Sequence, residues 1–359
     1  MIIIQKSGRE VKPFRAEREK NFMENKTLNV AIIGMHMGTK HLVGVRECGD
    51  HIGAVCDINP TTLKHFADMY EIPECDRYLD YRDILKREDI DVAIVAAPDQ
   101  LHLEMSEAFL AAGKHVLCEK PLALTREELV AICEMTKKYD RKFMVGQICR
   151  YNPNFAKAKE LVDAGAIGEL YYVESEYAHD YHKIMYDWRC DPNRHGVVGG
   201  GCHAVDLLRW IAGDPYEVFA YGTHKLLPMV DFDDATISVL KFPNNVVGKI
   251  FVSTGCKRPY TMRTLLYGTK GTIICEGKKQ VELYTLGEDG IAVNPTPEVI
   301  KVDPRDHNTY GEFMTFRACI LEGAPLEMTA EQGARTIAAC LAIVESAKTG
   351  VPVAPNYEF

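Results

Sequence analysis

Apolar and polar positions along the chain fall into two regimes. From Asn29 onward, short apolar runs alternate with amphipathic stretches. Val30-Ala31-Ile32-Ile33 is continuously apolar, as a strand buried on both faces of a parallel sheet requires. Gly34 ends it, and Thr39 to Cys48 reads as a helix. Ile52 to Cys56 is a second strand closed by Asp57, after which Asn59-Pro60 offers a cap and a first-turn proline. Leu63, Phe66, Ala67 and Tyr70 then recur at i, i+3, i+4 and i+7, the stripe of a packed helix. Further strands are predicted at Val92 to Ala96, His115 to Cys118 and Phe143 to Gln147. A helix stops near Gly113, and Thr125 with Glu128 forms a capping-box pattern ahead of another. This alternation predicts an α/β unit with a doubly wound parallel sheet.

The second regime is strand-rich. Leu170 to Tyr177, Ala235 to Phe242, Val246 to Thr254 and Arg263 to Tyr267 are strand-like, and Phe242-Pro243-Asn244-Asn245-Val246 supplies turn chemistry. A helix near Ala204 to Ala212 precedes this group, and one near Ala330 to Lys348 closes the chain. The expected architecture is a C-terminal α+β domain with a largely antiparallel open sheet. Residues 1–28 carry eleven charges and little periodicity, and read as an N-terminal extension. The boundaries follow as 1–28, 29–148 and 149–359.

Length agrees with this division, since 359 residues at ~150 per domain give two domains. A chain that is 47% hydrophobic and 26% charged has ample core material, which excludes disorder as its main state. The net charge of −9 gives no reason to bind nucleic acid or an anionic membrane. No apolar run approaches the ~20 residues of a membrane helix. Met1-Ile2-Ile3-Ile4 is too short for a signal-peptide core, so the chain reads as cytoplasmic. Twelve scattered cysteines without a C-x-x-C pair fit reduced thiols rather than a metal site.

Two features point to a nucleotide. Gly34-Met35-His36-Met37-Gly38 stands between strand and helix, where glycines let the backbone approach a pyrophosphate seated on the helix N-terminus. A tight turn without a ligand would also explain it, because His36 stands where a middle glycine is usual. Asp57 follows Gly34 by 23 residues, near the ~20-residue offset at which an acid takes the adenosine ribose hydroxyls. Its charge repels a 2′-phosphate, which favours NAD over NADP. The plainer reading makes Asp57 only the opening of the next helix.

Ala96-Ala97-Pro98-Asp99-Gln100-Leu101-His102 and Cys118-Glu119-Lys120-Pro121 resemble the Gfo/Idh/MocA family of NAD(P)-dependent sugar oxidoreductases. Arg150 to Phe155, Trp188-Arg189-Cys190-Asp191-Pro192, Gly199-Gly200-Gly201-Cys202-His203 and Tyr267-Gly268-Thr269-Lys270-Gly271 carry the resemblance across residues 29–359. It implies a Rossmann domain that binds NAD through Gly34, His36, Met37, Gly38, Asp57, Ala97, Pro98, His102, Glu119 and Lys120. It implies a sugar pocket drawn from Arg150, Tyr151, His179, Asp180, His182, Trp188, Arg189 and His203.

Lys120 and His203 are the implied catalytic pair. A lysine ending a buried strand at a cleft is partly desolvated, which favours a lowered pKa and donation to a substrate oxygen. A buried pair with Glu119 is the plainer reading. His203 without the resemblance would pass as a capping or packing residue. Many family members carry an aspartate four residues before this histidine, where this chain has Gly199. Asp206 reads as a structural partner on the helix, and Asp180 with His182 lacks coherent metal spacing.

The expected function is NAD-dependent oxidation of a ring hydroxyl, at C3 of a sugar or glycoside, in a homo-oligomer (dimer, tetramer or higher). Alternatives are an inositol or polyol 2-dehydrogenase, redox-neutral glycoside cleavage using held NAD, and a nucleotide-sensing binding protein.

Overall fold

The computed structural model describes residues 27–276, 279–287, 290–303, 305 and 307–359. The extension expected over residues 1–28 lies, apart from its last two positions, outside the described residues. The first unit is built on β1 (Asn29–Ile33), β2 (His51–Cys56), β3 (Arg77–Tyr78), β4 (Val92–Val95), β5 (His115–Glu119) and β6 (Phe143–Gly146). They form one parallel sheet in the order β3-β2-β1-β4-β5-β6, the doubly wound topology expected. The switch in strand order beside β1 opens the crevice in which such folds bind nucleotides.

Helix α1 (Met35–Glu47) corrects the expected start at Thr39. It begins directly after Gly34, so His36, Met37 and Gly38 lie in its first turn and not in a loop. The glycine pattern hid this start, because Gly38 serves packing: a Cβ there would meet Ile32 Cγ2 at 2.5 Å. Helix α2 (Pro60–Met69) is capped by Asn59, whose Oδ1 accepts from the Thr61 and Thr62 amides. After α3 (Tyr81–Leu85) and α4 (His102–Ala111), α5 (Arg126–Lys138) carries the expected capping box between Thr125 and Glu128.

Past α6 (Pro153–Asp163), β7 (Leu170–Ala178), α7 (Gly196–Gly199) and α8 (Cys202–Ala212) lead into the second sheet. Its other strands are β8 (Glu217–Thr223), β9 (Ala235–Phe242), β10 (Val246–Ser253), β11 (Thr261–Gly268), β12 (Gly271–Glu276), β13 (Gln280–Thr285) and β14 (Glu298–Lys301). The order is β14-β13-β12-β11-β7-β10-β9-β8, antiparallel except where β10 lies parallel to β7. Helix α8 packs on one face of this sheet, and Ile237, Val239 and Val247 remain exposed on the strands.

The chain then returns to the first unit. Helix α9 (Thr309–Glu322) packs against α1, where Gly44 leaves no room for a side chain: a Cβ would lie 2.7 Å from Thr309 Oγ1. Arg317 of α9 donates to Asp50 at 2.8 Å in a buried pair. Helix α10 (Ala330–Thr349) packs against α5, α8 and β8. No helix among the described residues is long and apolar enough to cross a membrane.

Candidate active site

Gly34 turns the chain from β1 into α1 with φ of +90°, and a Cβ there would sit 2.4 Å from the Ala96 carbonyl oxygen. Only glycine fits, which brings bare backbone to the mouth of a cavity of about 540 Å³. Gly34, Asp57, Ile58, Ala97, Pro98 and Leu101 are among its lining residues. The Met35 amide donates to Asp57 Oδ2 and the Asn59 amide to Oδ1, both at 2.9 Å. These bonds fix the carboxylate at the carboxyl end of β2, as a dinucleotide ribose requires. Arg82 lines the same cavity, but its guanidinium is held by Asp80. The glycine turn, the α1 N-terminus and Asp57 fit an adenine dinucleotide.

A second cavity, of about 230 Å³, lies where the two sheets meet. Met37, Lys120, His179, Arg189 and His203 line it, joined by Ile148, Tyr177, Tyr181, Arg194 and Tyr260. Lys120 follows β5 and His203 sits in the first turn of α8, so the two domains bring the expected catalytic pair together. His203, Ile148 and Tyr260 also border a neighbouring cavity of about 280 Å³ that runs to Asn152 and Glu276.

The charge states differ from expectation at Lys120. Burial pulls its ammonium down, but Cys202, the Glu119 carboxylate and Tyr181 outweigh that, and its pKa is raised, not lowered. Lys120 is therefore a protonated donor at neutral pH. Burial and the Lys120 charge hold the His203 imidazole at about 3, so it is neutral, and its Nδ1 has no hydrogen-bond partner among the described residues. The His179 imidazole is likewise held down by burial. Tyr177 and Tyr181 share a hydroxyl–hydroxyl bond of 2.6 Å beside them.

Several expected residues lie elsewhere. Arg150 gives both arms of its guanidinium to Asp206, at 2.7 and 2.8 Å, and is buried away from both cavities. Asp206 also accepts from Thr336 of α10, the structural part expected of it. Tyr151 is half-buried and does not line either cavity. Asp180 and His182 bond each other at the exposed rim, and His182 also meets the Leu226 carbonyl at 2.8 Å. His36 is exposed against Phe66. His102 is buried between the Pro121 and Ala97 carbonyls, at 2.9 and 3.1 Å, so it props the Lys120-Pro121 turn from behind. Trp188 lies under two guanidinium groups, Arg189 at 4.2 Å and Arg194 at 5.0 Å from its ring centre.

Glu119 faces inward. His41 of α1 donates to its Oε1 at 2.7 Å and the Lys120 amide to its Oε2 at 3.0 Å. Burial pushes the carboxyl up, but His41 and Lys120 outweigh it and bring it to about 2. Behind His41, Glu312 of α9 lies 3.8 Å from Nδ1, fully buried, with no hydrogen-bond partner among the described residues for either oxygen. Sequence reasoning missed His41 and Glu312, because nothing in their spacing joins residues 271 positions apart. It also missed Arg194, which binds Asp99 at 2.6 Å and fills the space beside Gly199. A Cβ on Gly199 would lie 2.5 Å from the Arg194 guanidinium.

A dinucleotide cradle opening beside a cavity that pairs a protonated lysine with a neutral histidine defines an NAD-binding oxidoreductase. Residues 28–147 match the oxidoreductase family's NAD-binding Rossmann fold, and residues 155–274 match the GFO/IDH/MocA C-terminal domain. The chain belongs to the Gfo/Idh/MocA family of oxidoreductases, and its cofactor is NAD. It is 27% identical to an inositol 2-dehydrogenase of Salmonella typhimurium over 68% of this chain and 73% of that one. It is 28% identical to a levoglucosan dehydrogenase of Pseudarthrobacter phenanthrenivorans over 57% and 60% of the two chains. A solved levoglucosan dehydrogenase in complex with NADH shares the fold, with a TM-score of 0.85 over 92% of this chain and all of that one at 23% identity.

Proposed function

We propose that this protein oxidises a ring hydroxyl of a sugar or glycoside, at C3, to a keto sugar. The observation that carries the reading is the juxtaposition of Lys120 and His203 in one cavity at the carboxyl edge of the parallel sheet. Bound NAD supplies a hydride acceptor. Lys120, already charged, donates to the reacting oxygen and stabilises its developing negative charge. His203, neutral, takes the hydroxyl proton, so that one C–H bond and one O–H bond break as the carbonyl forms. Tyr177 and Tyr181 extend the polar wall through their shared bond.

The inositol 2-dehydrogenases among the relatives favour a second reading, oxidation of a cyclitol hydroxyl at the same groups. Purified protein incubated with NAD and a panel of glucosides and inositols separates the two by the keto product identified. Formation of no keto product from either class refutes both. Residues 29–148 serve as the NAD-binding domain and 149–359 as the substrate and assembly domain in this account. The exposed apolar face of the second sheet supports a homo-oligomer, and twelve unpaired cysteines support a reducing, cytoplasmic setting.

A further inference from the structure

Three cationic side chains, Lys120, Arg189 and Arg194, line the catalytic cavity, and no aspartate or glutamate among the described residues does. Arg194 is neutralised by Asp99 at 2.6 Å. The other two have no carboxylate partner among the described residues. Lys120 makes no ion pair there, but the charge of the neighbouring Glu119 carboxylate helps to hold it protonated. The Arg189 guanidinium stacks on Trp188, 4.2 Å from its ring centre, with the Tyr186 ring centre at 5.8 Å. His179 and His203 are neutral, and burial and the Arg194 charge outweigh Asp99 and draw the Arg189 pKa down. A cation left under-compensated in a partly desolvated cavity is costly, and a bound anion relieves it. The oxidised nicotinamide ring adds one more positive charge.

We propose that the substrate itself carries the missing anion: the cavity takes a sugar acid, whose carboxylate is held by Arg189 while the reacting hydroxyl meets Lys120. The inference rests on the dehydrogenase reading above for the site, and adds the class of sugar. A guanidinium held against an indole face is pre-organised and offers a planar pair of donors that match a carboxylate. Lys120 cannot serve both roles, since its charge is needed at the oxygen that loses its proton. A neutral sugar would leave Arg189 without a carboxylate partner in the cavity.

The test compares D-glucuronate and D-galacturonate with D-glucose, D-galactose and myo-inositol, by NAD-linked turnover and by calorimetry in the presence of NADH. The expected result is a kcat/KM for an acid roughly 10–100-fold above that of its neutral counterpart. In Arg189→Met that ratio falls towards one through the KM of the acid, and Arg189→Lys retains part of it. Neutral sugars oxidised as well as or better than the acids would overturn the inference and leave the dehydrogenase reading standing. Acids that bind in an Arg189-dependent way without being oxidised would uphold the inference and sink that reading. Acids that neither bind nor react would overturn the inference. So would an Arg189→Met protein that binds NADH more weakly with the ratio unmoved, because the guanidinium would then serve the cofactor.

Discussion

At the scale of single residues, the proposed chemistry rests on two side chains whose charges are set by their surroundings. Lys120 sits among Cys202, Glu119 and Tyr181, and stays protonated despite burial. His203 stays neutral beside it. Lys120→Ala is expected to slow the chemical step by ~10²–10³ while NAD affinity stays nearly constant, because the pyrophosphate cradle lies at Gly34. Single-turnover rates and cofactor titration check this, and near-normal turnover would remove Lys120 from the reaction. Gly34 and Asp57 were legible because a strand end and a helix start follow from chain order, whereas Lys120 and His203 were singled out only through the family resemblance. The lowered pKa expected of Lys120 was not borne out. Its neighbours Cys202 and Tyr181 come from the other domain, and no local pattern announces them.

At the scale of elements, the packing of α9 on α1 supports the strand end that carries Lys120. Glu119 is pinned by His41 of α1, and Glu312 of α9 stands behind that histidine. Burial and the Glu119 charge push Glu312 well above the ordinary carboxylate range. The unfolded chain ionises this group above about pH 4.5, whereas the folded chain keeps it protonated. Its contribution to stability is thus fully present below the unfolded pKa and is lost as pH rises through the folded one. Glu312→Gln is expected to match wild type at pH 4 and to gain stability over it progressively towards pH 8, read from melting temperatures. A difference that does not change with pH would show Glu312 to be ionised in the fold. Helix α9 was not legible because its buried face is partly polar, with Thr309, Glu312 and Arg317 inside. The strands of the parallel sheet were legible because burial on both faces leaves continuous apolar runs.

At the scale of the whole molecule, the open sheet presents Tyr221, Ile237, Val239 and Val247 to solvent, at 65%, 44%, 54% and 48% exposure. A face of this kind on a protein of ordinary charge calls for cover, and a second copy of the same chain would cover it by symmetry. Light scattering at micromolar concentration is expected to show a dimer or tetramer, with Val239→Lys shifting it towards monomer. A monomeric wild type would contradict this. The cavity shared by Lys120 and His203 is also a property of the whole molecule, since it forms where the end of β5 meets the start of α8. The most direct test of the account follows a deuterium placed on the carbon that bears the reacting hydroxyl of an oxidised sugar. The account predicts that the label is recovered in the reduced cofactor, one for each keto product, and that Lys120→Ala slows its appearance. Label lost to water, or kept in the sugar product, would contradict hydride transfer at this site.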